Sequence, residues 1–473
     1  MTFPYPTMEA MQEAMKSGET TSLELTKYYL DRIATYNESI NAVLEVNPDA
    51  LHLAESLDVE RATLGPRGPL HGIPILLKDN INTGDKMHTT AGSIALENHY
   101  ADEDAFIVKQ LREAGAVLLG KANLTEWANF MTEGMTNGYS SHGGQVKNPY
   151  GPFDVGGSSS GPGASIAAGF AAASIGTETS GSILSPASRN SLVGIKPTVG
   201  LVSRTGIIPI AHSQDTAGPM APTVADAALI LGELTGIDDK DPATAISRGR
   251  LEKNYTVYLK SDALKGARLG VPRKFLSEVP EEEVGLFEQA LEELKEAGAI
   301  IVDDVELPFE ERNIQVLLHE FKTDLNAYLG KLPSTMPIHS LKELIEFNEA
   351  HKEVALKYGQ TLLLESETKS GRLSDAEYLQ NRLDDLRASQ TDGIDKVINE
   401  HQLDALLFVN FWGCDIAARA GYPSITVPAG YTLEGLPFGL TFTGLAFSEG
   451  RLIELGYSYE QATQHRRLPD LED

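Results

Sequence analysis

A run of glycines and serines in mid-chain, GGSSSGPG at residues 156–163, contains residue types that nucleophilic catalysis requires. Serine hydroxyls are potential nucleophiles, and glycines let a backbone approach a substrate closely. The letters GSSSG match the G-x-S-x-G pattern of a nucleophile elbow, with Ser159 at its centre. An elbow needs an apolar strand before the serine, whereas residues 147–155 contain two prolines, and no downstream histidine has the spacing of a partner base. A histidine-dependent esterase using Ser159 is one alternative.

The same run has two other interpretations, a flexible linker and a phosphate-binding loop. A linker would be polar and would lead into a new domain. This run instead continues into ASIAAGFAAASIG at residues 164–176, whose small residues suit a buried helix and strand. A phosphate loop needs a lysine directly after its last glycine, and this run has none there. The pattern favours rigid backbone around a chemical site.

The surrounding sequence alternates helix and strand patterns, which predicts an α/β fold. Thr21 and Glu24 form a T-x-x-E capping box in front of an amphipathic run. Residues 104–115 predict a helix that ends at Gly115. Between residues 331 and 400 the chain is charge-rich and helical in period, which predicts solvated helices over a face or lid. A second helix is predicted before Gly298, and strands are predicted at residues 69–81, 116–120, 299–302, 405–409, 424–428 and 438–444.

Composition restricts the function classes. The 473 residues are 41% hydrophobic and 22% charged, and the formal net charge is −28. Such a surface repels phosphate backbones and anionic lipids, so neither a nucleic-acid partner nor a membrane partner is expected. Cys414 is the single cysteine, and no stretch has the pattern of a signal peptide or the 18 apolar residues of a membrane span. We expect a cytoplasmic protein.

Several ordered motifs resemble the amidase signature family of serine hydrolases. They are GGSSSG, GTETSGSILSPA and GIKPTVGLVS, together with GPLHGIPILLKDNI, SQDTAGPM and GYPSITVPAGY elsewhere in the chain. The likeness covers roughly residues 20–235 and 400–465. It implies a single domain over residues 1–473, with a central mixed, twisted β-sheet covered by helices on both faces. It also implies that residues 237–400 are a variable helical region covering the active site.

The resemblance assigns a Ser–Ser–Lys triad to this sequence. The nucleophile falls on Ser182, the bridging serine on Ser158, which in the family follows a cis peptide bond, and the base on Lys78. Thr177 takes the position of a supporting hydroxyl. The family layout points to Phe130 and Met131 as pocket-lining residues. Backbone oxyanion donors fall on Thr179, Ser180, Gly181 and Ser182.

These residue types suit amide hydrolysis, which needs an activated nucleophile, a base and oxyanion donors. Lys78 ends the apolar run GIPILL, where desolvation favours the neutral amine. A lysine pKa must fall from about 10.4 to near 7 for this role, and burial alone can supply such a shift. Ser158 would then relay a proton between Lys78 and Ser182.

Departures from the family pattern restrict the class of substrate that we expect. Ser180–Gly181 replaces the usual G-G and GTET replaces GTDT, as in the peptide-amidase-like branch. Leu184 and Ser185 stand where many relatives have an arginine, so an acyl group bearing a carboxylate is disfavoured. The resemblance implies hydrolysis of a small-molecule carboxamide to a carboxylate and ammonia or amine, without a metal or organic cofactor, by a monomer or homodimer.

Two further alternatives share the fold. One is the glutamine-hydrolysing subunit of a tRNA-dependent amidotransferase, although the SQDT segment at residues 213–216 departs from that subunit's usual pattern. The other is a catalytically silent binding protein, against which the presence of all three triad residues argues.

Overall fold

The computed structural model describes residues 5–308 and 313–471, so the outermost parts of the predicted 1–473 domain and residues 309–312 lie outside the described residues. Within those ranges, eleven strands form one mixed sheet in the order β1-β3-β2-β6-β8-β7-β12-β13-β11-β9-β10, and β4 and β5 form a separate hairpin. The strands are β1 (Val43–Val46), β2 (Pro74–Lys78), β3 (Val117–Ala122), β4 (Tyr139–Ser140), β5 (Gly144–Gln145), β6 (Ala173–Glu178), β7 (Val193–Lys196), β8 (Thr216–Ala221), β9 (Arg268–Val271), β10 (Ile300–Asp303), β11 (Ala405–Val409), β12 (Ser424–Tyr431) and β13 (Pro437–Thr443).

The centre of the sheet combines parallel and antiparallel pairs. Strand β2 is parallel to both β3 and β6, with Leu77 opposite Ile175 on β6, whereas β6 and β8 are antiparallel. Every residue of β2 and β6 is buried, which explains why both are continuous apolar or small-residue runs. The carboxyl ends of β2 and β6 therefore meet at one edge of the sheet, and polar residues follow each strand there.

Helices flank the sheet, as predicted for this fold class. Thr21 and Glu24 form the predicted capping box at the start of α2, and Gly115 has a φ of 83° just after α4. The helices are α1 (Met8–Ser17), α2 (Ser22–Ile40), α3 (Ala50–Leu64), α4 (Phe106–Glu113), α5 (Ser160–Ala167), α6 (Leu184–Arg189), α7 (Val224–Leu234), α8 (Glu281–Glu296), α9 (Gln315–Leu329), α10 (Leu341–Ala350), α11 (Lys352–Ala355), α12 (Thr361–Glu367), α13 (Ala376–Leu386), α14 (Asp395–His401), α15 (Cys414–Ala420) and α16 (Glu449–Thr463).

The glycine- and serine-rich run is rigid rather than a linker. All of α5 is buried, and its small side chains pack directly on the central strands. The main hydrophobic core lies around the sheet, and a second cluster lies where α9, α10 and α12 meet the segment around Trp127. The charge-rich stretch before residue 400 forms α10–α14, with one π-helical turn at Arg387–Ile394. In the part of the chain that the structure describes, every helix is too short or too polar to cross a bilayer.

Candidate active site

Lys78 is the last residue of β2, and its amine lies in the protein interior. The side chain is 0% exposed. Its Nζ is 2.8 Å from the Ser158 Oγ, 2.9 Å from the Thr177 Oγ1 and 3.3 Å from the Thr177 carbonyl oxygen. Burial lowers the pKa of Lys78 to about 7, although the Glu178 and Asp215 carboxylates act in the opposite direction. A large fraction of the amine is therefore neutral at neutral pH.

The neighbours of Lys78 suit this neutral form. A neutral amine has two N–H donors and one lone pair. The two oxygens of Thr177 can accept both N–H groups, which leaves the lone pair for the Ser158 hydroxyl. Asn80 Nδ2 also donates to the Thr177 Oγ1 at 3.0 Å, so the orientation of this threonine is fixed by two partners. The structure thus brings together Lys78, Ser158 and Thr177.

The segment that carries Ser158 passes directly beside Ser182. A cis peptide bond joins Gly157 to Ser158, and α5 begins two residues later. The backbone N–H of Ser159 donates to the Ser182 carbonyl oxygen at 3.2 Å. This contact holds the two serine segments side by side at the carboxyl ends of β2 and β6.

Ser182 lies in the turn between β6 and α6, which a buried glutamate stabilises. The Glu178 Oε1 accepts a hydrogen bond from the Gly181 N–H at 2.8 Å, and the Oε2 accepts from the N–H groups of Ile183 at 2.7 Å and Leu184 at 3.0 Å. Ser182 is 7% exposed. Its hydroxyl forms no hydrogen bond within residues 5–308 and 313–471, so it is free to meet a substrate.

The glutamate contact distinguishes the predicted oxyanion donors from one another. The N–H of Gly181, one of the four, donates to Glu178 in this structure. The N–H groups of Ser180 and Ser182 have no acceptor among the described residues. The sequence pattern therefore located the turn, but it did not show which of its N–H groups lack an acceptor within the protein.

Two carboxylates anchor the residues that precede Gly181. The Thr179 Oγ1 donates to the Asp215 Oδ1 at 2.6 Å, and the Ser180 hydroxyl donates to Asp415. Burial raises the pKa of Asp215 to about 6. A cavity of about 680 Å³ opens beside these residues, and its wall includes Thr177 and Thr179. A substrate in this cavity would lie next to the groups around Lys78.

Known proteins resemble this chain over nearly its whole length. A family model described as Amidase matches residues 24–453. The chain belongs to the amidase family. A probable amidase of Arabidopsis thaliana is 42% identical, with 98% of this chain and 91% of that protein covered. The crystal structure of a peptide amidase from Stenotrophomonas maltophilia has a TM-score of 0.91 and 45% identity, and the match covers 100% of both chains. A glutamyl-tRNA(Gln) amidotransferase component from Methylobacillus flagellatus is 35% identical, with 98% of each chain covered.

The two predicted pocket residues of this amidase lie behind the cavity wall. Phe130 is 3% and Met131 is 1% exposed, and both belong to the second hydrophobic cluster. The Phe130 ring centre is 4.9 Å from that of Phe321 on α9. Ala128 lines the cavity in this segment. Phe130 and Met131 therefore pack in the hydrophobic cluster next to Ala128 of the cavity wall, and their contact with substrate stays a prediction.

Two residues of the cavity wall, His212 and Asp324, form a cluster with the buried Glu320. His212, Glu320 and Asp324 each place one potential ligand atom within 4.8 Å of the others. The His212 Nδ1 is 2.8 Å from the Asp324 Oδ2, which is a hydrogen-bond distance. The ion pair accounts for the arrangement of these three residues.

Sequence reasoning missed Asn80, Glu178 and Asp215 as parts of the site. Each acts on a residue that the motifs did identify: Asn80 on Thr177, Glu178 on Gly181, and Asp215 on Thr179. The sequence feature that could have identified them is their position inside the motifs LLKDN, GTET and SQDT. Polar residues at the ends of buried strands could have been treated as candidates for this reason.

Replacing Glu178 tests whether its carboxylate holds the Ser182 turn. In Glu178→Gln, an NH2 group would face backbone N–H groups, so we expect a loss of about 1–3 kcal/mol in the free energy of unfolding. We also expect kcat to fall by about 10- to 100-fold, because a displacement of about 1 Å can cost that much. Denaturant unfolding and steady-state kinetics measure both effects. Glu178→Asp, which keeps a carboxylate, should lose less, and equal losses in the two variants would contradict this role.

Proposed function

We propose that this amidase hydrolyses a carboxamide through an acyl-enzyme on Ser182, with Ser158 as the bridging hydroxyl and Lys78 as the base. The observation that carries the proposal is the fully buried Lys78 amine, 2.8 Å from the Ser158 Oγ. Burial supplies the driving force for a neutral lysine at this position. Such a lysine can accept a proton at neutral pH.

In the proposed mechanism each proton that is removed during acylation and deacylation is returned, so the enzyme ends in its starting protonation state. As the Ser182 Oγ attacks the carbonyl carbon, its proton passes to the Ser158 Oγ, and the Ser158 proton passes to the Lys78 Nζ. When the C–N bond breaks, the route reverses and the leaving nitrogen receives a proton. A water molecule then attacks the acyl-enzyme along the same route, which releases the carboxylate and restores Ser182.

The oxyanion of each tetrahedral intermediate would accept hydrogen bonds from the backbone N–H groups of Ser180 and Ser182. Two features support this assignment: these N–H groups are free in the described structure, and Glu178 fixes the turn that bears them. A donor of this kind contributes about 3 kcal/mol of transition-state stabilisation. Thr179 would be a further donor, as the family resemblance implies.

The substrate we propose is a small-molecule amide without a carboxylate on its acyl group. Buried Leu184 and Ser185 occupy the positions where an arginine would bind such a carboxylate.

We also propose that the helical region within residues 237–400 covers the active site of a single domain. Tyr328 of α9 and the nearby Lys331 support this, since both line the cavity.

Covalent labelling at a single serine tests this function and separates it from the Ser159 esterase. A fluorophosphonate probe should label the Ser182 peptide, and the protein should release ammonia or amine from a panel of amides.

Ser159 is fully buried, and its Oγ contacts the Thr177 backbone at 3.1 and 3.3 Å. We expect Ser159→Ala to retain most of kcat and to lose about 1–2 kcal/mol of stability. Labelling at Ser159 would support the esterase, and labelling at no serine would support a silent binding protein.

The glutamine-hydrolysing role in an amidotransferase is the second candidate, because relatives of that name match the whole chain. That function would require glutamine as the amide donor, together with a second protein chain as partner. Amide hydrolysis by the purified chain alone would count against it. Glutaminase activity that appears only with a co-purifying partner chain would replace the proposal.

A further inference from the structure

His212 lies on the cavity wall, on a loop that Asp215 connects to the segment before the Ser182 turn. The backbone N–H groups of Ile210 and Ala211 donate to the Asp215 Oδ2 at 2.8 and 2.9 Å. The other Asp215 oxygen accepts from the Thr179 Oγ1 at 2.6 Å. Asp215 therefore ties the loop that carries His212 to the segment just before the proposed nucleophile.

Carboxylates on α9 hold the His212 ring in one orientation. The His212 Nδ1 is 2.8 Å from the Asp324 Oδ2 and 3.5 Å from the Glu320 Oε2. The backbone N–H of His212 also donates to the Asp324 Oδ2, at 2.8 Å. The carbonyl oxygen of His212 accepts a hydrogen bond from Arg204, which is paired with Asp241. Backbone and ring are thus fixed before any substrate binds.

The remaining polar atom of the ring, Nε2, is available to a ligand. Nε2 has no hydrogen-bond partner within the described ranges. The side chain is 44% exposed, and the residue lines the cavity. Because Nδ1 faces two carboxylates, it carries a hydrogen. A rigid imidazole on the cavity wall, whose second nitrogen has no partner among the described residues, is suited to contact a substrate.

The charges around His212 define what it would bind. Burial lowers the pKa of His212, but the hydrogen bond to Asp324 and the charges of Glu320 and Asp324 outweigh both burial and the opposing Arg204, so the net pKa is raised. The two carboxylates beside Nδ1 favour the imidazolium form of the ring, and in that form the Nε2–H is a donor. Arg204 and Lys240 also line the cavity, but they are paired with Asp241 and Glu103. The two carboxylates at the ring itself disfavour an anionic group there, so a neutral oxygen is the better acceptor for Nε2–H.

We propose that His212 forms a substrate-binding subsite in which its Nε2–H donates to a neutral carbonyl oxygen on the acyl portion of the amide. This inference rests on the proposed function, since it concerns the same cavity. It predicts that His212 determines specificity through substrate affinity and leaves the chemical step largely unchanged.

A pair of substrates of equal chain length tests the subsite. N-acetylglycinamide carries a second carbonyl, whereas pentanamide has methylenes in its place. His212→Asn keeps a donor near the Nδ1 position for Asp324 but removes Nε2. We expect KM for N-acetylglycinamide to rise by about 10-fold or more, because a hydrogen bond to a charged donor is lost. The kcat and the KM for pentanamide should change by less than about threefold, and His212→Gln, whose amide reaches toward the Nε2 position, should partly restore KM.

The pH dependence of KM provides a second readout. For N-acetylglycinamide, KM should rise as the pH increases through the raised pKa of His212, because the Nε2–H donor is lost. Asp324→Asn removes the main partner that raises this pKa, so the rise should begin at a lower pH. His351→Asn, an exposed histidine outside the cavity, is the control and should leave KM unchanged.

Three outcomes would overturn the subsite: an equal rise of KM for both amides, a loss confined to kcat, or an unshifted KM profile in Asp324→Asn. Failure of the proposed function would look different. Ser182→Ala would then retain hydrolysis of both amides, whatever the KM values of the His212 variants.

Discussion

We expect Ser182→Ala to lower kcat for amide hydrolysis by about 10⁴- to 10⁶-fold, which is the range for removal of a hydrolase nucleophile. The fold should be unaffected, because the Ser182 hydroxyl has no hydrogen-bond partner among the described residues. The measurement is ammonia release under saturating substrate, together with labelling by a fluorophosphonate probe, which should disappear.

The matched control for this variant is Ser165→Ala in α5. Ser165 is also buried, and its hydroxyl donates only to the Pro162 carbonyl oxygen of the same helix. We expect its kcat to stay within about threefold of the parent, because exchanges that touch no functional group have small effects. If Ser182→Ala kept one tenth of the parent rate, the acyl-enzyme mechanism would be wrong.

Lys78→Met removes the base and preserves most of the side-chain volume, so we expect kcat to fall by about 10²- to 10⁴-fold. The pH profile is the sharper readout. In the proposed mechanism the neutral amine is the active form, so parental kcat should rise with pH to a plateau above the Lys78 pKa of about 7. Below that pKa, kcat should fall by about tenfold for each pH unit. Lys78→Met should lose this acidic limb.

Lys121→Met controls for the loss of a buried lysine. The Lys121 Nζ donates to the Ile81 carbonyl oxygen at 2.8 Å and to the Thr89 Oγ1 at 2.9 Å, so we expect its role to be structural. We expect lower stability but an unchanged pH profile in the folded fraction. An acidic limb that persisted in Lys78→Met would assign the titration to another group.

The sequence predicted those parts of the fold that local patterns determine. The apolar run at residues 405–409 coincides with β11 (Ala405–Val409), and the run ending at Lys78 is a fully buried strand. Burial of the amine follows from the run that precedes it, so even its lowered pKa could be anticipated. The mixed sheet and the family membership followed from several motifs in the correct order.

Contacts between distant parts of the chain could not be predicted in the same way. The Thr179 contact with Asp215 spans 36 residues, and nothing local to either residue encodes it. The position of the Phe130 side chain also could not be predicted from the sequence. Trp127, Ala128 and Asn129 adopt left-handed φ values of 50°, 53° and 69°, without a glycine to signal the turn. This turn places Phe130 in the second hydrophobic cluster.

The parallel pairing of β2 with β6 has a consequence for engineering. These two strands carry Lys78 and Thr177, whereas α9 contributes Asp324 and Tyr328 to the cavity wall. We therefore expect mutagenesis libraries confined to α9 to change substrate preference while leaving the backbone around Lys78 and Thr177 in place. Libraries placed in β2 or β6 would mostly yield inactive clones, because each of their side chains is enclosed by its neighbours.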